Sequence, residues 1–269
     1  METMENPGPE TGRYAWDNSW VDSRRRLELL EQCWDPRSHE ALRSAGLKPG
    51  WRCLEVGGGA GSIARWLCDA VGPSGAVVTV DLDTRFLGAI DAPNLEVIEA
   101  DIVADGLPAG PFDLIHTRAV LMHIPARDRL LPELVTRLRP GGTLVLEECD
   151  FHSFDIAESP LFRDFWRRFS DIVQGTAGMH PYWGRGLAAR FAGLGLTAVR
   201  SWSTAVIFPG GSPEAELFRM SWLQVRDLLL ANGVDKDEVE AFLGLFDDDT
   251  QWFPAPAVVT AVGRRPADV

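Results

Sequence analysis

Hydrophobic and polar positions follow two alternating periods between residues 50 and 147. Short apolar runs, typical of buried strands, are separated by segments in which apolar residues recur every three to four positions, as in amphipathic helices. This alternation predicts right-handed βαβ units and a parallel sheet covered on both faces. The predicted strands are Arg52–Val56, Ala76–Val80, Leu95–Glu99, Asp113–Thr117 and Thr143–Glu147, and the predicted helical segments are Ser62–Ala70, Thr84–Ala89, Arg118–His123 and Arg127–Leu138.

The pattern becomes mainly helical after residue 147, and it is also helical before residue 50. Ligands of open parallel sheets bind beyond the carboxyl ends of the strands, so the connections after each strand are where we expect a site. The outer helical segments are Ser23–Leu30, Ala41–Ser44, Pro160–Val173, Arg185–Leu194, Pro213–Ala231 and Lys236–Phe246, and the remaining β segments are Thr197–Phe208 and Ala257–Gly263.

Glycines occupy every second position directly after the first predicted strand. Residues 54–61 read Leu-Glu-Val-Gly-Gly-Gly-Ala-Gly, and a helical pattern begins at Ser62. A strand, a glycine turn and a helix let the backbone approach a cofactor closely, because glycine has no Cβ and tolerates a positive φ. Dinucleotide sites use the spacing G-x-G-x-x-G, whereas this loop has E-x-G-x-G-x-G. The carboxylate of Glu55 would repel a pyrophosphate but suits a cation such as an ammonium group.

Two further carboxylates end the next two predicted strands. Asp81 can accept both hydroxyls of a ribose at the tip of the second strand. Asp101 can accept an exocyclic amino group while its apolar neighbours flank a ring. Each acid alone could simply favour a loop or a helix N-terminus. Together with Glu55 and the glycine loop, they match a ligand that carries a cation, a ribose and an adenine.

These motifs resemble those of the class I S-adenosylmethionine-dependent methyltransferases, over about residues 46–148. The segment 55–61 is similar to the first motif of that family, and 112–116 and 138–144 are similar to later strand motifs of its small-molecule branch. The segment 35–50 resembles bacterial enzymes of that branch, many of which modify secondary metabolites. The resemblance implies S-adenosyl-L-methionine as cofactor, bound by Glu55, Gly57, Gly59, Gly61, Asp81, Leu82, Asp101, Ile102 and His116.

The family resemblance also implies the whole fold. We expect an α/β, Rossmann-like, doubly wound and mostly parallel seven-stranded sheet with an antiparallel last strand. Residues 1–45 are expected to form an N-terminal lid and helices, and residues 46–269 the methyltransferase domain. Cap insertions are expected at about 151–184 and 210–254; the apolar residues of the second could instead form a homodimer contact.

Methyl transfer from a sulfonium is an in-line displacement that neutralises charge, so positioning the acceptor lowers much of the barrier. A base is needed only for an acceptor that must lose a proton. We predict that Tyr14, Glu147 and His180 meet around the acceptor, with Glu147 orienting the imidazole that takes the proton. Packing, capping or solvent exposure would explain His116, His123, His152 and His180 equally simply. The residues expected to contact the acceptor are Trp16, Trp20, His123, Trp183 and Trp222.

The composition limits the classes of partner that the protein is expected to bind. A formal charge of −13, from 39 acidic and 26 basic residues, argues against nucleic-acid backbones and anionic membranes. No apolar run approaches the roughly 20 residues of a membrane span. Residues 1–13 lack the apolar core of a secretory signal, and the four cysteines lack metal-site spacing. We therefore expect a cytoplasmic enzyme with no metal ion.

The sequence leaves the chemical identity of the methyl acceptor open. Aromatic-rich lids suit a small aromatic or apolar natural product, methylated on oxygen, carbon or nitrogen. A cyclase or pericyclase that uses the cofactor without methyl transfer is the main alternative, and a protein methyltransferase is a weaker one. Detection of S-adenosylhomocysteine among the products separates the first two.

Overall fold

The computed structural model describes residues 14–16 and 18–267. In chain order its strands are β1 Arg52–Val56, β2 Ala76–Asp81, β3 Leu95–Glu99, β4 Phe112–Arg118, β5 Leu138–Asp150, β6 Thr197–Thr204, β7 Ile207–Pro209, β8 Trp252–Pro254 and β9 Ala257–Arg264. The main sheet has seven strands in the order β3-β2-β1-β4-β5-β9-β6. Pairs within the β3-β2-β1-β4-β5 half are parallel, whereas β9 runs antiparallel to both β5 and β6. The predicted fold class, including the antiparallel last strand, is therefore confirmed.

The helices cover the sheet and extend beyond the carboxyl ends of its parallel strands. Two of them begin as their sequences predict, with serine side chains at 159 and 212 that accept hydrogen bonds from amides three residues on and a proline at the first helical position. No helix of the described residues is both long and apolar enough to cross a membrane. The helices are α1 Ser23–Ser44, α2 Ser62–Val71, α3 Arg127–Arg137, α4 His152–Asp155, α5 Pro160–Ala177, α6 Leu187–Gly193, α7 Pro213–Gln224, α8 Arg226–Ala231 and α9 Lys236–Leu245.

Two short helices expected from the sequence are only single 3₁₀ turns. The segment 84–89 is helical only at Leu87–Ala89, because the carboxylates of Asp81 and Asp83 accept nearby amides and favour turns instead. In the segment 118–123, β4 continues through Arg118 and a 3₁₀ turn spans Leu121–His123. The expected long β segment at 197–208 is also divided, since its last part pairs with β8 in a separate two-stranded sheet.

The segments expected to be caps pack on each other through aromatic rings. Helix α5 buries Phe162, Phe165, Trp166 and Phe169, which lie on one face by the i, i+3, i+4, i+7 rule. The ring of Phe165 stacks on that of Phe242 in α9, with centroids 3.8 Å apart. This contact joins the two insertions into one aromatic layer.

Candidate active site

The glycine loop between β1 and α2 is closely surrounded by side chains. Gly57 has a φ of 81° and Gly59 a φ of 56°, backbone conformations that L side chains rarely adopt. A Cβ on Gly57 would overlap the side chain of Val120, and a Cβ on Gly58 would overlap that of Thr79. The loop therefore needs glycine both for its conformation and for its packing.

The acids at the ends of β2 and β3 are held by backbone amides. Asp81 accepts hydrogen bonds from the amides of Gly59 (2.9 Å) and Asp83 (3.1 Å). Burial raises the pKa of Asp81, and these amide hydrogen bonds oppose the rise. Asp101 accepts a hydrogen bond from the amide of Val103 at 2.8 Å. The carboxylates are thus fixed in position at the carboxyl edge of the sheet.

Glu55, at the end of β1, is fully enclosed. Its Oε2 accepts a hydrogen bond from the hydroxyl of Thr79 at 3.3 Å. Burial raises the pKa of Glu55 to about 8, although the positive charge of Arg118 opposes the rise. The side chain is therefore largely neutral at pH 7, and a cation beside it would favour its ionised form.

One cavity of about 690 Å³ adjoins all three acids and the glycine loop, and continues to a wall of aromatic and apolar side chains. This volume lies within the usual range of about 300–1,000 Å³ for small-molecule pockets. We divide its lining into two groups and call them its two ends. The first end comprises the acids and the glycine loop with their neighbours, Glu55, Val56, Gly57, Gly58, Gly59, Asp81, Leu82, Asp101 and Ile102. The second end comprises aromatic and apolar side chains, several of whose rings contact one another, Tyr14, Trp16, His123, Phe151, Phe169, Met179, Phe218 and Trp222.

The residues predicted for the site divide between the cavity wall and other positions. Most of those expected to bind the cofactor line the cavity, as do four of the aromatic and histidine residues expected near the acceptor. Those in the wall are Tyr14, Trp16, Glu55, Gly57, Gly59, Asp81, Leu82, Asp101, Ile102, His123 and Trp222, and those outside it are Trp20, Gly61, His116, Glu147, His180 and Trp183.

The expected meeting of Tyr14, Glu147 and His180 does not occur in the structure. Glu147 is buried within the sheet, where its Oε2 lies 3.0 Å from Nε2 of His116. Burial raises the pKa of Glu147, but the hydrogen bond and charge of His116 outweigh this effect and lower it overall. The Nδ1 of His180 accepts the amide of Tyr182 at 3.3 Å. Glu147 therefore lies on the same face of the sheet as the His116 side chain of β4 and is held there by it, whereas the imidazole of His180 has a backbone amide as its partner.

Two tryptophans expected at the acceptor are used in packing. Trp20 packs beside the buried Leu29, Leu217 and Met220. Trp183 is 1% exposed and lies under the guanidinium of Arg190, which is 4.9 Å from the ring centroid. Neither belongs to the cavity wall.

Sequence reasoning missed the residue that shapes the loop after β4. The carboxylate of Glu148 accepts hydrogen bonds from the amides of Val120 (3.3 Å), Leu121 (2.9 Å) and Met122 (3.2 Å). Burial raises the pKa of Glu148 to about 7, although the three amides oppose the rise. From the sequence, strand alternation shows only that Glu148 and Glu147 face opposite sides of the sheet.

Sequence reasoning also missed the one arginine of α1 that turns inward. Arg26 follows two exposed arginines and is only 5% exposed in the cavity wall. Its neighbour His123 is half-buried in the same wall, and burial, together with the charges of Arg26 and Arg127, lowers the pKa of His123 to about 3. His123 is therefore a neutral imidazole. The rings of Tyr14 and Trp16 pack edge-on against it, with centroids 5.2 and 5.1 Å from the imidazole centroid.

Residues 54–146 match the family model described as a methyltransferase domain. The match begins one residue before Glu55 and ends within β5, so it contains the glycine loop and the strand-end acids. Over residues 54–146 this chain is therefore similar to a methyltransferase domain. The strand order of its sheet agrees with this similarity.

Curated relatives are similar to this chain over part of their own length. Residues of this chain are 30% identical to the ubiquinone/menaquinone biosynthesis C-methyltransferase UbiE of Ectopseudomonas mendocina, over 51% of this chain and 55% of the relative. The UbiE protein of Laribacter hongkongensis is 30% identical over 44% of this chain and 50% of the relative. The matches thus span about half the length of these curated relatives.

Several solved structures share the fold of this chain over most of its length. A candidate methyltransferase of Bacillus halodurans C-125 aligns with a TM-score of 0.54 and 17% identity, over 85% of this chain and 98% of that one. A cyclopropane-fatty-acyl-phospholipid synthase-like protein of Lactobacillus casei aligns at 0.56 and 15%, over 94% and 95%. Phosphoethanolamine N-methyltransferase 2 of Haemonchus contortus, solved with phosphomonomethylethanolamine and S-adenosylhomocysteine, aligns at 0.50 and 16%, over 95% and 56%.

Proposed function

We propose that this protein transfers a methyl group from S-adenosylmethionine to a small aromatic or apolar acceptor, of the kind found among bacterial natural products. The observation that carries the proposal is the single cavity. Its first end has the acids and glycine loop that suit a cationic nucleoside, and its second end has an aromatic wall. The acceptor atom is an oxygen, carbon or nitrogen at the junction of the two ends.

The first end fits S-adenosylmethionine by the chemistry of its residues. Asp81 would accept the ribose hydroxyls, and Asp101 with the backbone and side chain of Ile102 would hold the adenine. Glu55 would face the cationic part of the ligand, and its raised pKa means that binding favours loss of its proton. The bound cofactor supplies an electrophilic methyl group on a positively charged sulfur.

The second end supports transfer by positioning and by excluding water. Aromatic faces at Trp16, Phe169 and Trp222 offer flat apolar surfaces to a ring. The loop that Glu148 fixes brings His123 into the same wall. Because methyl transfer neutralises charge, an apolar surrounding disfavours the charged reactants relative to the transition state.

The proposal is tested by incubating the protein with trideuteromethyl-labelled S-adenosylmethionine and a panel of hydroxylated aromatic compounds. Support is the release of S-adenosylhomocysteine in equal amount to a product that carries the labelled methyl group. Conversion of an acceptor without S-adenosylhomocysteine would favour the cyclase alternative. Failure of S-adenosylhomocysteine to bind at all would overturn the proposal.

A further inference from the structure

Arg26 places a buried positive charge in the aromatic half of the cavity. The run at residues 24–26 is Arg-Arg-Arg, and successive helical positions point in different directions. Arg24 and Arg25 are exposed and pair with Glu28 and Glu216. Arg26 instead points inward, is 5% exposed and lines the cavity.

The structure gives this guanidinium a phenol as partner but no carboxylate. Tyr14 hydrogen-bonds to it, while its Nε has no hydrogen-bond partner among residues 14–16 and 18–267. None of the ion pairs formed within that described part of the chain involves Arg26. The neighbouring His123 is neutral and supplies no negative charge.

An unpaired buried charge opposes folding, because desolvation is not repaid by a counter-charge. A charge of this kind is readily explained when a ligand brings the opposite charge. The five carboxylates that line the cavity have other partners. Asp81 and Asp101 accept turn amides, Glu55 accepts the hydroxyl of Thr79, Glu31 accepts the amide of Ser62 at 3.2 Å, and Asp83 pairs with Arg85. Two ligand groups can supply the missing counter-charge, the carboxylate of the cofactor and an anion on the acceptor. Arg26 lies beside Tyr14 and His123 in the aromatic wall, and this position favours the acceptor.

We propose that Arg26 is an anion-binding residue for the acceptor, and that the acceptor carries a ring hydroxyl that binds as its anion. This inference rests on the proposed methyl transfer in the same cavity. The hydroxyl loses its proton to water on binding, beside a guanidinium that stabilises the oxyanion. An electron pair of the oxyanion, on oxygen or on a conjugated ring carbon, then forms the bond to the methyl carbon. The carbon–sulfur bond breaks with its electrons on sulfur, and a methylated ring carbon returns its proton to water.

This role explains why no general base is needed. The imidazole of His123 is a poor proton acceptor at neutral pH because its pKa is about 3, and Glu147 and His180 lie outside the cavity wall. Arg26 removes the need for a base by making the anion the stable bound form. It is a binding residue that acts on the ionisation of the acceptor.

The test uses 4-nitrophenol, whose anion absorbs visible light, added to full-length protein saturated with S-adenosylhomocysteine. We expect the pKa of the bound phenol to be lowered by about 1–3 units, the usual effect of an opposite charge within contact distance. Arg26→Met should abolish the shift and Arg26→Lys should retain part of it. The matched control is Arg25→Met, which removes an exposed arginine from the adjacent position and should behave as the unaltered protein. An equal shift in Arg26→Met and the unaltered protein would overturn the inference.

A second arm asks whether Arg26 instead binds the carboxylate of the cofactor. S-adenosylhomocysteine carries that carboxylate and 5′-methylthioadenosine lacks it. We expect Arg26→Met to bind both with unchanged affinity. A loss of tenfold or more for S-adenosylhomocysteine alone would assign the arginine to the cofactor and overturn the inference. Should the unaltered protein bind neither nucleoside, it is the proposed function that fails.

The same variants exclude a purely structural role. If Arg26 serves a ligand, Arg26→Met should unfold at the same temperature as the unaltered protein or at a higher one, because it no longer buries an unpaired charge. A large fall in unfolding temperature together with an unchanged phenol shift would contradict the inference. Should Arg26→Met fail to fold, Arg26→Gln, which keeps a donor for Tyr14 without the charge, carries the same phenol measurement.

Discussion

The carboxylate of Asp81 accepts a hydrogen bond from the amide of Gly59, with 2.9 Å between Oδ2 and the nitrogen. This bond joins the end of β2 to the glycine loop after β1. It holds the acid that is proposed to bind the ribose at a fixed place relative to the loop. Cofactor binding and loop conformation should therefore depend on the same side chain.

We expect Asp81→Asn to bind S-adenosylhomocysteine about 10- to 100-fold more weakly. A hydrogen bond to a charged group contributes about 1.5–3 kcal/mol, and the amide keeps the shape while removing the charge. Isothermal titration calorimetry measures the affinity. Asp69→Asn, the same change on the exposed face of α2, is the control. Equal affinities for the two variants would show that Asp81 does not hold the cofactor.

The end of the cavity that carries the three acids and the glycine loop could be predicted from the sequence because its signals are local. Glu55, Asp81 and Asp101 each lie within two residues of the end of a predicted strand, and parallel strands bring their carboxyl ends to one edge. The glycines identify the loop by spacing alone. No distant contact is needed to place these residues together.

The aromatic end of the cavity depends on contacts between distant segments, which the sequence does not give. Glu147 was expected at the acceptor, but its partner His116 lies on a neighbouring strand. Nothing in the sequence distinguishes Arg26 from the exposed Arg24 and Arg25. Only the packing of α1 against the cavity does so. Trp16 enters the wall through a hydrogen bond from its Nε1 to the carbonyl of Ser221, 205 positions away.

Removal of the Glu148 carboxylate should destabilise the protein strongly. Glu148→Ala leaves the buried amides of Leu121 and Met122 without their acceptor, and each unsatisfied donor costs about 1–3 kcal/mol. We expect the free energy of unfolding, from urea titration followed by circular dichroism, to fall by about 3 kcal/mol. The exposed Glu96→Ala on β3 should change it by no more than about 0.5 kcal/mol. Equal values for both variants would mean that Glu148 does not support the loop.

Glu55 should make stability depend on pH. Its pKa is about 8 in the folded protein and about 4.3 when unfolded. A raised folded pKa gives stability that is present below about pH 4 and is lost as pH rises through about 8. The difference in unfolding free energy between Glu55→Gln and the unaltered protein should therefore move in favour of the variant from about pH 5 to pH 9. A difference that stays constant over that range would contradict a raised pKa.

A methyl group at Gly58 should damage the loop. The Cβ of Gly58→Ala would overlap the hydroxyl of Thr79, which donates to Glu55, and would press on Leu87. Overpacking of this kind costs about 1–3 kcal/mol, measurable by thermal unfolding. Gly88→Ala is the control, because a Cβ there meets open space. A variant at 58 as stable as the one at 88 would show that the loop can shift to accept a side chain.

We propose that one cavity holds the cofactor and the acceptor side by side. A crystal structure of the protein with S-adenosylhomocysteine tests this directly. We expect the ribose hydroxyls on Asp81, the adenine between Asp101 and Ile102, and the sulfur facing the aromatic wall of Trp16 and Trp222. A ligand bound elsewhere, or one whose sulfur faces away from that wall, would contradict it.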